Sequence, residues 1–330
     1  MHRIIKILKE NMIAAVFITL LISLFLGVHY HAFFVSLKAI LPVALFFMLY
    51  KPMTYLKLKE AFTKMTDIKK KYLVVLTLLY AIVFPASAYL LMKAILWAIP
   101  NADPRMIAGI VLLALAPVAS SAPAFTGMAG GKVQLTLIGV IYTFLLSFAV
   151  IPFGSKLILE HVVQVPIMAL LKSLVIYVIV PLVIGQATKY IALRRGGEEA
   201  LERLKEPLEA LVLLGMFTMV FIVFGINAVV ITKNPAMILV GVVIMNVYSA
   251  LRFLTAYAIG RALKFPLEHN ISLTYSASYN MTTATAIGIA TFGPMAAVGT
   301  VIGGPFAGMI QMILLVKVFD YLRKKEAMEQ

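Results

Sequence analysis

A chain of 330 residues that is 62% hydrophobic and 13% charged, with a mean hydropathy of +0.99, is far more apolar than a soluble domain, where about half the residues are apolar and about a quarter charged. This composition excludes a large soluble core and implies a polytopic membrane protein. The net charge of +15 raises the question of nucleic acid, and the lack of any cysteine removes disulfides, thiolate metal sites and cysteine nucleophiles.

Apolar runs separated by charged connections give ten expected spans, each near the ~20 residues a bilayer core requires. They cover 11–28, 33–50, 72–94, 106–127, 135–153, 166–190, 208–227, 237–263, 271–292 and 296–319, and Pro42, Pro85, Pro123 and Pro181 fall inside spans 2, 3, 4 and 6. The first apolar segment lacks a small-residue cleavage site and is followed by further spans, so it reads as a true span. The five histidines fall near segment ends and have no metal-ligand spacing.

With the N-terminus placed in the cytoplasm, most of the 29 basic residues fall on that side. They include the seven lysines between 51 and 71, then Lys132, Lys189, Arg194, Arg195, Arg203, Lys205, Arg261 and Lys264, and the tail Arg323-Lys324-Lys325. Such a bias sets both termini inside. The basic excess is therefore topology, and nucleic acid is not needed to explain it. Segment 54–71 is expected along the headgroups, against anionic lipid. All fourteen acidic residues sit at termini, in connections or at span ends, so no carboxylate stands at a span centre to take a proton or a sodium ion. Arg252 and Lys317 fall within span sequences near the cytoplasmic end. Snorkelling to the interface is the expected behaviour of both, although Arg252, which follows Asn246, Tyr248 and Ser249, can also hold an anion or cap a cavity.

Against this background two stretches are too polar for lipid. Residues 270–285 hold eleven Ser, Thr, Tyr or Asn, with Ser272, Ser276, Tyr279 and Thr283 on one helical stripe, before the chain turns apolar and breaks at Gly293-Pro294. A buried hydroxyl without a partner is unfavourable, so these groups must face other helices or a wet cavity. The second stretch, 117–131, carries Ser120, Ser121 and Thr126 around Pro123, which removes a backbone donor in mid-membrane and is expected to break span 4. Pro123 and Asn280 are 157 residues apart, close to half the chain. Interrupted helices at corresponding positions of two halves point to a transporter's binding site; a proline kink beside an unrelated polar helix is the plainer alternative.

Broken helices turn their ends toward mid-membrane, N–H groups suiting an anion and carbonyls suiting a cation or a polar solute. The expected solute site is a cavity at the crossing of spans 4 and 9. It takes Ser120, Ser121, Pro123 and Thr126 from the first and Ser276, Tyr279, Asn280, Thr282 and Thr283 from the second, with Arg252 nearby. Alternating access follows from one bundle rocking against the other.

At these residues the sequence resembles the bile acid/arsenite/riboflavin transporter superfamily, which includes the bile acid–sodium symporters and the arsenite permeases. The resemblance is carried by Ala116-Pro117-Val118 through Gly131-Lys132-Val133-Gln134-Leu135-Thr136, and by Ser278-Tyr279-Asn280 through Ala290-Thr291-Phe292-Gly293, followed by Gly304-Pro305. It implies an all-α fold of ten transmembrane helices in two inverted five-helix repeats, 1–157 and 158–330. Spans 1, 2, 6 and 7 would form a panel, spans 3–5 and 8–10 a core, and the broken spans 4 and 9 would cross. It also implies sodium as a possible coupling ion, for which Thr136, Ser278, Tyr275 and Asn280 stand at or near the matching positions. The departures are specific. Val118 and Thr282 stand where the permeases carry a cysteine and a glutamate, and Ala122-Pro123 stands where the symporters carry Ser-Asn.

The expected function is secondary transport of a small polar or anionic organic solute in the cell membrane, with sodium coupling doubtful; the alternative is an arsenite or antimonite efflux carrier. An intramembrane enzyme would need a catalytic Asp pair, a Ser–His pair or a His cluster within the spans, and the sequence has none. A channel would not saturate. The expected partners are the solute and membrane lipid, with no cofactor beyond sodium, no nucleic acid, and the chain as a monomer or homodimer.

Overall fold

The computed structural model describes residues 12–56, 66–233, 235–303, 307–308 and 310–328. Among them the chain is helical throughout, with no strand. The helices are α1 (Met12–His29), α2 (His31–Thr54), α3 (Asp67–Ala98), α4 (Pro104–Ala114), α5 (Ala122–Met128), α6 (Val133–Leu159), α7 (Ile167–Arg203), α8 (Lys205–Ile226), α9 (Ala228–Lys233), α10 (Pro235–Ala262), α11 (Leu267–Tyr275), α12 (Met281–Phe292), α13 (Pro294–Gly303) and α14 (Ile310–Met328). Much of the expected headgroup segment, including Lys57, Lys59 and Lys64, lies outside the described residues, as do Gly304 and Pro305.

Among the described residues, six helical stretches are long and apolar enough to cross a bilayer: α2, α3, α6, α7, α8 and residues 238–262 of α10. They coincide with six of the ten expected spans. Expected spans 4 and 9 are each divided between two helices, α4 and α5, and α11 and α12; expected span 10 covers α13 and the first part of α14, with 304–306 and 309 outside the described residues.

Two prolines leave a matching mark. Pro85 follows a π-helical turn at Leu79–Val83, and Pro181 follows another at Val175–Ile179. A proline cannot donate to the carbonyl four residues back and its ring clashes there, and the wider turn accommodates both demands without ending the helix. Within α7 the helix is interrupted at Gly196 and Gly197, the latter at φ +65, which a glycine adopts without strain.

α8 lies along α1 and α2, and α7 packs against α2. α4 packs against α12 and α13, and α10 against α11. Small residues set the closest approach. A Cβ on Gly109 of α4 would run into the backbone of Ala296, and one on Gly299 of α13 into the backbone around Met106. The two helices can therefore meet backbone to backbone, as small residues permit in membranes.

Candidate functional site

The first helix break runs from Leu115 to Ser121, between α4 and α5. Pro117 is its centre. It offers no N–H and pushes Ala116 out of the helical region. The expected break at Pro123 is corrected: Pro123 sits in the first turn of α5, where its missing N–H would have had no helical partner and its fixed φ favours helix initiation. The second break runs from Ser276 to Asn280 and contains neither Gly nor Pro. Asn280 starts α12 as an N-cap, extended at φ −86, ψ 96, its Oδ1 accepting from the Thr283 N–H at 3.0 Å. The stripe of Ser272, Ser276, Tyr279 and Thr283 is therefore not one helical face. Gly293, at φ +85, turns the chain from α12 into α13, at the expected break.

The two breaks are hydrogen-bonded to each other. The Asn280 N–H donates to the Pro117 carbonyl at 2.7 Å. Its side-chain Nδ2 donates to Ser120 Oγ at 2.9 Å, and the Ala119 N–H donates to Ser278 Oγ at 3.3 Å. Neighbouring helices satisfy more of the freed backbone: the Val118 N–H donates to Thr143 Oγ1 at 3.0 Å, and Tyr80 donates to the Leu115 carbonyl at 2.9 Å. Broken backbone at membrane depth is tolerated where protein buries it.

Arg252 completes the junction, and its expected snorkelling is corrected. Its residue surface is 2% exposed. Nη1 donates to the Ala114 carbonyl at the end of α4 (2.5 Å), Nε to Ala277 (2.9 Å) and Nη2 to Ser278 (3.5 Å). The guanidinium carbon lies 3.8 Å from the centre of the Phe84 ring. The freed carbonyls of both breaks outbid the interface for this side chain. Lys317 is exposed on α14.

A cavity of about 320 Å³ lies beside the junction. One wall carries Ser120, Ser121, Ser278, Tyr279, Asn280 and Thr282; the facing wall is apolar, from Val16, Met48, Leu49, Val212, Met216 and Val220. Other expected residues lie outside its lining. Thr126 is fully buried, bonded to Thr136 Oγ1 and the Ala122 carbonyl, both at 2.9 Å. Ser276 is bonded to Tyr72 at 2.6 Å. Pro123, Thr283 and Arg252 are buried outside the lining. Of the four residues expected at an ion site, Ser278 and Asn280 share the cavity wall and Thr136 and Tyr275 lie outside its lining: Thr136 holds Thr126, Tyr275 donates to the Met312 carbonyl at 3.1 Å, Ser278 accepts from Ala119, and Asn280 serves Ser120 and Thr283. The apolar wall, Tyr80 and Phe84 had no distinguishing sequence signal, because a cavity-facing Val or Phe reads like a lipid-facing one. Thr143 had only a lone hydroxyl.

Outside the spans, Lys132 joins α6 to α11 through an ion pair with Glu268 at 2.5 Å. The hydrogen bond from Lys132 holds the Glu268 carboxyl below its usual range against a small burial effect. Burial, then the Lys132 charge, push the His269 imidazole down, with Glu268 opposing.

Residues 42–234 match the model of the family described as the sodium bile acid symporter family. The chain belongs to that family. The match takes in the first break and stops before the second and before Arg252. The chain is 29% identical over 224 residues to "Arsenical-resistance protein Acr3" of Alkaliphilus metalliredigens, covering 66% of this chain and 62% of that protein. It is 26% identical over 202 residues to "Uncharacterized transporter slr0944" of a Synechocystis strain, covering 60% and 53%. It thus spans less than two thirds of the length of either relative. It is a divergent family member and a multi-pass membrane protein.

Proposed function

We propose that this family member is a secondary carrier for a small polar or anionic organic solute, working by alternating access in the cell membrane. One observation carries the proposal: Ser121, Asn280 and Thr282 share the wall of a cavity whose opposite wall is apolar. α12 begins at that cavity, and its first-turn N–H groups carry partial positive charge, which favours a carboxylate. The apolar wall suits the solute's hydrocarbon part. The cavity lies at the seam between α1, α2 and α8 and the elements bearing both breaks, so displacement of one group against the other would open it to alternate sides. In this scheme the chain has ten spans in two inverted repeats, 1–157 and 158–330. Spans 1, 2, 6 and 7 form the panel and the others the core, with both termini cytoplasmic by the basic bias.

A second solute class, arsenite or antimonite, is supported by the likeness to the 29% identical arsenical-resistance relative; the cysteine-free chain offers it no thiolate, only oxygen, nitrogen and methionine thioether groups. The test is a thermal-shift screen of the purified chain against short aliphatic mono- and dicarboxylates and arsenite, followed by counterflow in proteoliposomes. A bound solute raises apparent stability by mass action. The proposal expects a saturable carboxylate shift and counterflow, both lost in Asn280→Ala, Ser121→Ala and Thr282→Ala. An arsenite shift alone selects the second class. A carboxylate shift that survives all three changes removes the cavity from the scheme.

A further inference from the structure

We infer that Arg252 is a built-in cation for the junction of the two helix breaks, so that this family member works without a sodium coupling ion. The inference rests on the carrier scheme for its consequence, but its test reads cation binding alone.

α4 and α11 both stop at the junction, and a helix that stops presents unpaired carbonyls and about half a negative charge. Two such ends together present about one negative charge in mid-membrane, and a single monovalent cation balances it. The guanidinium of Arg252 is placed to be that cation. Each of its three nitrogens is aimed at a different carbonyl, Ala114 from the first break and Ala277 and Ser278 from the second. Its face is stacked on Phe84 and it is 2% exposed, and among the described residues its hydrogen bonds go to carbonyls and the Tyr248 hydroxyl. A rigid planar fork fits three divergent carbonyls better than a compact ammonium would.

The donors on hand do not fit a sodium ion. Three junction carbonyls that could ligate one, of Ala114, Ala277 and Ser278, are engaged by the guanidinium, and those of Leu115 and Pro117 accept from Tyr80 and Asn280. The side chains of Thr136, Ser278, Tyr275 and Asn280 each serve another partner. A mobile cation added beside Arg252 would meet a fixed like charge at low dielectric. The tethered charge cannot leave with the solute, so the solute's own gradient, or exchange against a second solute, drives the carrier. Tyr279 joins the two sites: its ring centre is 5.4 Å from the guanidinium carbon, and the residue lines the cavity.

The test is the unfolding midpoint of the purified full-length chain in nanodiscs, titrated with sodium chloride and, separately, with choline chloride at equal ionic strength. The wild type is expected to follow the same curve in both salts; a saturable rise specific to sodium overturns the inference. Arg252→Gln, which keeps hydrogen bonding but lacks the charge, is expected to melt lower in choline and to recover part of the loss with sodium or millimolar methylguanidinium. An Arg252→Gln chain as stable as wild type, or one that melts lower and recovers with neither cation, makes Arg252 a packing residue and overturns the inference. Should the variant not fold, the wild-type titration decides. A sodium-specific shift leaves the carrier scheme standing, and a failed solute screen leaves the cation titration unaffected.

Discussion

Asn280 does two jobs that a pair of substitutions separates. Asn280→Ala removes the N-cap of α12, worth about 1 kcal/mol, and the side-chain bond to Ser120, worth about 1 kcal/mol more. Together these lower the unfolding midpoint by roughly 4 °C, taking ~2 °C per kcal/mol for a chain of this size. Asn280→Asp keeps an oxygen for the Thr283 N–H, since Asp caps as well as Asn, and the Ser120 hydroxyl can rotate to donate to it. Stability should therefore stay within about 1 kcal/mol of wild type. The new carboxylate faces the cavity, however. At about 5 Å from a solute carboxylate and an effective dielectric of ~20, the repulsion is about 3 kcal/mol, or roughly a hundredfold in affinity. Differential scanning fluorimetry of the purified variants reads the first effect, and the ligand-induced shift with the carboxylate found by screening reads the second. Asn280→Asp binding that carboxylate as tightly as wild type would refute an anion site at the start of α12. An unchanged midpoint in Asn280→Ala would refute the capping role.

Because the chain has no cysteine, single-cysteine variants report access directly: Ser121→Cys and Thr282→Cys should react with a water-soluble maleimide and Thr126→Cys should not, and the opposite pattern would contradict the cavity as described. Gly109→Ala drives a methyl group into the Ala296 backbone, an overpacking of about 1–3 kcal/mol. Gly127→Ala meets only the Val133 side chain and serves as the tolerated control, so equal midpoints for the two would argue against the close contact of α4 and α13. His269 has a folded-state pKa below its ordinary value of 6.5. The unfolded chain therefore binds the proton first, and stability from this group is complete above pH 6.5 and declines as pH falls below it. Denaturation midpoints across that range should decline less steeply in His269→Gln than in wild type, and parallel curves would assign the acid sensitivity elsewhere.

Much of the molecule can be read from pattern. Runs of apolar residues near bilayer length locate α2, α3, α6, α8 and α10 and the start of α7, since length and hydropathy are local properties; α7 runs on to Arg203, well past its expected end at 190. The concentration of hydroxyls at 270–285 and around Ser120 marks where the polar junction lies. The pattern misleads where a residue has two outlets. Pro123 looks like the breaker of span 4 but begins α5, and Pro117, six residues earlier, lies in the break. The second break has no Gly or Pro to announce it, because it is held by partners far away in the chain: Pro117, Ala119 and Ser120 bond to Ser278 and Asn280.

The sequence by itself determined the medium and the polar inventory: an apolar chain with acids kept out of the span centres, basic residues biased to one side, and two hydroxyl-rich stretches half a chain apart. Only the tertiary structure decided which hydroxyls face a cavity and which are consumed as packing bonds, as Thr126 is with Thr136 and Ser276 with Tyr72. It also decided that Arg252 turns inward, a choice local pattern cannot make. A guanidinium near a membrane surface goes to water unless enough carbonyls are brought to it, and the carbonyls that hold Arg252 come from residues 114, 277 and 278, which only folding places together.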